Sequence, residues 1–125
     1  MKQIIRTEAA PSSPFFSQGV KTASTVYVSG MTGMDMAAAA LAGPTIQDQT
    51  LQSLRNCEAV LAAAGATLDD VVQVTVLLAS PDDFAGMNDA YSTVFTDEVP
   101  TRFVARLGVE LPGVLVSIAM TAAID

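Results

Sequence analysis

The chain has 125 residues, half of them hydrophobic and 15% charged, with 13 acidic against six basic side chains and a net charge of −7. That length suits one domain, residues 1–125, with a single core. The composition is too apolar for disorder, and the acidity repels polyanions, so nucleic acid is not an expected partner. There is no histidine, and Cys57 is the lone cysteine. An internal disulfide, imidazole acid–base catalysis and His-containing nucleophilic triads are therefore excluded within the chain, and a zinc, copper or haem site is disfavoured. The longest apolar run, Val114 to Ile124, is about half the length of a membrane-spanning helix. The N-terminal residues lack the apolar core of a signal peptide. A cytoplasmic protein with no membrane contact is expected.

Residues 2–6 read as a short first strand. Ala9 to Gly19 holds two prolines, three serines and the adjacent pair Phe15-Phe16. This is a loop, and its aromatics either tuck over the core or wall a pocket. Thr25 to Ser29 is β-branched and aromatic, hence a strand. It stops at Gly30, where a missing side chain lets a ligand approach the backbone as readily as it lets the chain turn. Met31 to Asp35 reads as a turn-like tail, and alanine-rich 36–43 as a loop.

A helix starts near Thr45, whose hydroxyl can cap it, with Asp48 in the first turn. Ile46, Leu51, Leu54, Cys57, Leu61 and Ala64 share one face, and Gly65 is a natural stop. Cys57 on that stripe is a small core residue rather than a reactive thiol. Gln47, Gln52, Arg55 and Glu58 form the solvated face. After a turn at 67–70, Val71 to Ala79 is a strand with Val72, Val74, Val76 and Leu78 on one side.

Ser80-Pro81-Asp82-Asp83 starts the second helix: serine caps, proline takes the first position, and two carboxylates face the positive end of the dipole. Phe84, Met87, Asn88, Tyr91, Val94 and Phe95 share a side, with Asn88 the polar exception. It is either a core hydrogen-bonding residue or a ligand contact. Pro100 ends this region. In the strand 101–109, Arg102, Val104 and Arg106 face one way and Phe103, Ala105 and Leu107 the other. Arginine in an apolar strand is costly unless it meets an anion. An acidic neighbour (Asp97, Glu98 or Glu110) and a bound ligand both satisfy that demand. Leu111-Pro112-Gly113 is a turn. Val114 to Ile124 is apolar on both faces apart from Ser117 and Thr121, as in a central strand covered on both sides.

The element order is β-β-α-β-α-β-β, an α+β domain with two crossover helices on one face of a mixed sheet. Two helices cover one face, so a neighbouring subunit is the economical cover for the other. No phosphate loop, metal motif or repeat is present, and no cofactor is expected.

Over nearly its whole length the chain resembles the Rid family, also called YjgF/YER057c/UK114. The resemblance is carried by Pro14-Phe15-Phe16-Ser17-Gln18-Gly19, Val28-Ser29-Gly30, the helix 49–65 and Asn88-Asp89-Ala90-Tyr91. Its most specific part is Pro100-Thr101-Arg102 followed by Leu111-Pro112-Gly113 and a last apolar strand. It implies a chorismate-mutase-like fold and a homotrimer whose sheets form a central barrel with clefts between subunits. It also implies hydrolysis of small 2-imino acids or enamines to 2-keto acids and ammonia. Arg102 matches the arginine that holds the substrate carboxylate, and Gly30, beside Ser29, the glycine whose N–H helps. Phe16 stands where the family has tyrosine, Val104 where it often has cysteine, and Ser117 where it has the glutamate that handles water. The implied site residues are thus Arg102, Ser117, Gly30, Ser29, Phe16 and Asn88. The losses favour a slower deaminase, a different preferred substrate, or a binding protein that keeps the anion site. Endoribonuclease activity, also attached to the family, is opposed by the acidity and the lack of histidine. Arg106 matches no family role and is expected in an ion pair between subunits.

Overall fold

A computed structural model describes residues 1–125. Eight strands and two helices form: β1 (Gln3–Ile5), β2 (Gly19–Lys21), β3 (Thr25–Thr32), β4 (Met34–Asp35), β5 (Ala40–Leu41), α1 (Ile46–Ala63), β6 (Val71–Leu78), α2 (Phe84–Tyr91), β7 (Thr101–Arg106) and β8 (Val116–Ala123). Six strands make the main sheet in the order β1-β2-β3-β8-β6-β7, and β4 and β5 form a separate ribbon. Only β6 and β7 are parallel; the other pairings are antiparallel. The sheet is therefore mixed, as expected, and β8 is a central strand between β3 and β6. Sequence reading missed β2, which adds three residues to the sheet, the extension of β3 past Gly30 to Thr32, and the ribbon that pairs β4, in the expected turn-like tail, with β5 in the alanine-rich stretch.

One face of the sheet carries the core. Val26, Val28, Met31, Val74, Val76, Leu78, Val116, Ile118, Met120 and Ala122 are buried there against Leu54, Cys57, Val60 and Leu61 of α1 and Met87 and Tyr91 of α2. Alternation along β8 is strict, with every second residue buried. Alternation along β6 breaks at its start. Val71 pairs with Ala122 and Gln73 with Thr121, leaving Val72 as the extra residue of a bulge. Val71 is buried and Val72 is 47% exposed, which corrects the expected inward position of Val72.

The helix signals hold. Thr45 Oγ1 accepts from Asp48 N. At the other end Ala66 N donates to Leu61 O and Gly65 N to Ala62 O, with Gly65 at φ +81°, the left-handed geometry that ends a helix. The second start is shorter than its signal: residues 81–83 form a single 3-10 turn capped by Ser80, and α2 follows.

A second stripe on α1 went unread in the sequence. Gln49, Ser53 and Asn56 are buried polar residues. Gln49 Nε2 donates to Gly43 O and Gly113 O at 2.9 Å, and its Oε1 accepts from Leu115 N. Ser53 Oγ donates to Met31 O, and Asn56 Nδ2 to Thr32 O and Met34 O. These side chains satisfy backbone groups where β3 leaves the sheet and where the chain turns into β8. Cys57 Sγ donates to Ile118 O, and burial pushes its thiol well above the ordinary range. It is a core residue, as expected.

The outer face of the sheet has no cover within the chain. Tyr27 and Phe103 are 51% and 62% exposed there, and Thr75, Leu77, Ala105, Ser117, Ala119 and Thr121 are partly exposed.

Candidate functional site

The predicted site residues form two groups on opposite faces of the sheet. The first group is built on β7 and α2. The parallel register sets Arg102 beside Val74 and Val104 beside Val76, so both arginine and valine point to the helix-covered face. β7 is the edge strand, however, and Arg102 is exposed rather than buried. This corrects the expectation of a guanidinium inside an apolar strand. Its partner is also not an acid: Arg102 Nη1 donates to Asn88 Oδ1 at 2.6 Å. The guanidinium carbon lies 4.9 Å from the centroid of the Tyr91 ring and 5.9 Å from that of Phe84. Asn88 comes from the middle of α2, with Phe84 one turn before it and Tyr91 one turn after. One helix face therefore orients the cation by one hydrogen bond and two aromatic rings. A guanidinium has five N–H donors; Asn88 takes one, leaving a planar fork that matches a carboxylate.

Phe84 and Tyr91 share the Asn88 side of the helix, as the spacing predicts, but only one of them is a core residue. That residue is Tyr91, at 7% exposure, and its ring packs on Phe95 with centroids 4.9 Å apart. Phe84 is 46% exposed and belongs to the arginine's surroundings. Tyr91 Oη is buried without a hydrogen-bond partner. Desolvation raises its pKa and the Arg102 charge opposes that rise. The phenol thus stays neutral at ordinary pH, and its ring, not an ionised oxygen, is what meets Arg102.

The second group is built on β3, β8 and the loop before β2. Val28 pairs with Met120 and Met31 with Ile118, so Ser29 and Gly30 together oppose Ala119 in a bulge. Gly30 is exposed, and a Cβ on it would lie 2.9 Å from Ser117 Oγ. A side chain at this position would make the Ser117 hydroxyl turn away. Ser29 N donates to Gln18 O and Ser29 Oγ to Ser17 O, which ties the loop carrying Phe16 to the bulge. The loop is tied again from inside: Gln18, 3% exposed, donates to the carbonyls of Thr7, Ala10 and Pro11 and accepts from Thr7 N. Phe16 is 42% exposed and Phe15 93%. Neither tucks over the core. Ser29, Gly30 and Ser117 thus come together, with Phe16 on the loop tied to them, and the hollow that Phe16 lines is also lined by Arg6 and Glu8.

The two groups do not meet in one chain. Ser117 alternates with buried Val116 and Ile118 and so lies on the open face, while Arg102 lies on the other. β6 separates their strands, a lateral offset of roughly 10 Å. No group of three or more acidic or Cys side chains is placed to hold a metal ion.

The architecture is that of the chorismate-mutase-like α+β class. The model of the family described as endoribonuclease L-PSP, the YjgF/Rid family, matches residues 7–124. A RutC family protein of Saccharolobus solfataricus is 40% identical over 124 residues, 98% of each chain. The 2-iminobutanoate/2-iminopropanoate deaminase of Rattus norvegicus is 37% identical over 103 residues, 82% of this chain and 75% of that one. The crystal structure of E. coli TdcF with bound serine superposes with a TM-score of 0.89 at 30% identity, covering 98% of this chain and 99% of that one. The chain belongs to the endoribonuclease L-PSP (Rid) family. No helix is long and apolar enough to cross a membrane.

Proposed function

We propose that this protein is a 2-imino acid deaminase that acts as a homotrimer, with each site completed by two neighbouring subunits. The observation that carries the reading is the oriented, outward-facing guanidinium of Arg102, held by Asn88 and Tyr91 with most of its donors free. The deaminase names of relatives such as the rat protein support it, as does a neighbour of the same fold that holds serine, a small amino acid.

In this reading Arg102 takes the substrate carboxylate in a bidentate contact, and the exposed backbone at Gly30 of the adjoining subunit supplies a further N–H. An enamine first tautomerises to the imine. Water then adds to the protonated C=N carbon, giving a carbinolamine. Its C–N bond breaks as a proton passes from oxygen to nitrogen, releasing ammonia and the 2-keto acid. Ser117 accepts a hydrogen bond from the attacking water and positions it. A serine hydroxyl is a weak acid and base near neutral pH, so rate comes mainly from positioning and from the fixed cation. No cofactor takes part.

Generating 2-iminopropanoate or 2-iminobutanoate in situ and timing keto-acid formation tests this. Wild type is expected to exceed buffer, and Arg102→Ala to lose about a hundredfold in kcat/KM with its fold intact. Equal rates for wild type, variant and buffer overturn the proposal.

A second reading is a non-catalytic carboxylate-binding trimer. It is favoured by the second group, where Phe16 has no hydroxyl and Ser117 no carboxylate. Calorimetric binding of 2-oxobutanoate without imine turnover selects it. Restoration of turnover by Ser117→Glu would show that the missing carboxylate is the cause. RNA does not suit a surface of net charge −7.

A further inference from the structure

Arg106 has no part in the site just described, yet it stands on the same face of β7 as Arg102, with Val104 between them. Four residues of strand set their Cα atoms roughly 13 Å apart. Both are exposed, and together they are two of the six basic residues in a strongly acidic chain. Beside Arg106 lies a hollow of about 430 Å³ walled by Leu78, Pro81, Phe84, Val104, Ala105 and Arg106 itself. Phe84 joins this hollow to the first guanidinium, because the same ring lies 5.9 Å from Arg102. The space is mostly apolar, with Arg106 in its wall and Arg102 neighbouring its Phe84 wall.

We propose that Arg106 is a specificity-determining residue that selects 2-imino acids whose side chain ends in a second anionic group. The inference rests on Arg102 as the clamp for the first carboxylate. With that carboxylate fixed, the substrate side chain runs over Val104 and Phe84 towards Arg106. A terminal carboxylate there meets a second guanidinium beside apolar walls, where a charge-assisted hydrogen bond counts for more than in open water. A short alkyl side chain leaves Arg106 to solvent and gains only the apolar wall. Glu110 lines the adjoining hollow, which Arg106 also borders. It competes for Arg106 with any incoming anion, so the guanidinium confers preference more than raw affinity.

The test is calorimetry with 2-oxoglutarate and 2-oxobutanoate as stable product probes, run on wild type, Arg106→Gln, Arg106→Lys and Glu110→Gln. Wild type is expected to favour the dicarboxylate at least tenfold, and the preference to weaken with added salt. Arg106→Gln removes the preference, Arg106→Lys keeps part of it, and Glu110→Gln enlarges it. Arg106 is exposed, so circular dichroism should show these variants folded. No preference in wild type, or an unchanged one in Arg106→Gln, overturns the inference. If Arg102→Ala still binds 2-oxobutanoate like wild type, the carboxylate clamp itself is what fails.

Discussion

The edge formed by β7 and α2 and the bulge formed by β3 and β8 are built by opposite means. At the edge a charge is held in place by soft contacts: one amide and two ring faces around a long side chain. At the bulge there is no charge, and placement comes from backbone geometry. A register shift, a glycine against a serine hydroxyl and a loop tied by two serines and a glutamine leave little freedom. The edge offers an adaptable binding group, the bulge a fixed wall. Because they occupy opposite faces of the sheet, neither serves the other within a chain. In the proposed trimer each meets the other kind on a neighbouring copy.

That contrast can be broken most directly by mixing chains. Arg102→Ala and Gly30→Val are each expected to be inactive. Unfolded together in equal amounts and refolded, they should regain about one quarter of wild-type imine turnover, the share of sites that draw an intact edge from one chain and an intact bulge from the next. No recovery from a mixture shown by mass to be hybrid would place both groups in the service of separate sites.

Gln49→Leu should cost stability rather than chemistry. It removes three hydrogen bonds to the segment between β5 and α1 and to the turn into β8 and strands their backbone groups, a loss of about 2–4 kcal/mol in urea unfolding.

Gly30→Ala sharpens the claim that the bulge is rigid. The added methyl meets Ser117 Oγ, so turnover should fall about tenfold and stability by about 1–2 kcal/mol. Coupling it to Ser117→Gly should recover the stability, measured by thermal unfolding, but not the turnover. If the single variant is as stable as wild type, the Ser117 hydroxyl or the strand gives way and the wall is not fixed.

The smallest effect lies in the core between the two regions. Burial raises the Cys57 thiol pKa in the folded state, so the neutral thiol favours folding. That contribution is complete below the ordinary thiol pKa of about 8.5 and declines as pH rises beyond it, because only the unfolded thiol ionises. Wild type should therefore lose stability between about pH 8.5 and 10 more steeply than Cys57→Ala. Cys57 should also resist thiol reagents until the chain unfolds.

Much of this was legible because local signals and tertiary demands agreed. Thr45 and Ser80-Pro81 mark helical starts and Gly65 a helix end as backbone chemistry requires, and the continuous apolar run of β8 marks the central strand. What escaped depended on partners far away in sequence. β2 is three residues long and exists because β1 and β3 flank it. The ribbon β4–β5 joins Met34-Asp35 to Ala40-Leu41, pairs of residues too short to show a strand pattern. The bulges at Val72 and at Ser29-Gly30 reverse facing by one residue, which no periodicity reveals. Gln49, Ser53 and Asn56 do recur at helical spacing, and that polar stripe beside an apolar one was the available signal. The side of the sheet taken by Arg102 was correct relative to Val104, but its exposure required knowing that β7 ends the sheet.

Gln18 carries one more consequence. A single buried amide gathers three carbonyls and an N–H from Thr7 to Pro11 and makes that loop part of the rigid body. Phe15, almost wholly in water, is thereby held out on a preformed support. The entropy of ordering the segment is spent during folding, so whatever docks against Phe15 meets a surface already shaped and loses little more than rigid-body freedom. Encounter should then follow the diffusion of rigid bodies, without the delay of a strap that must first find its shape.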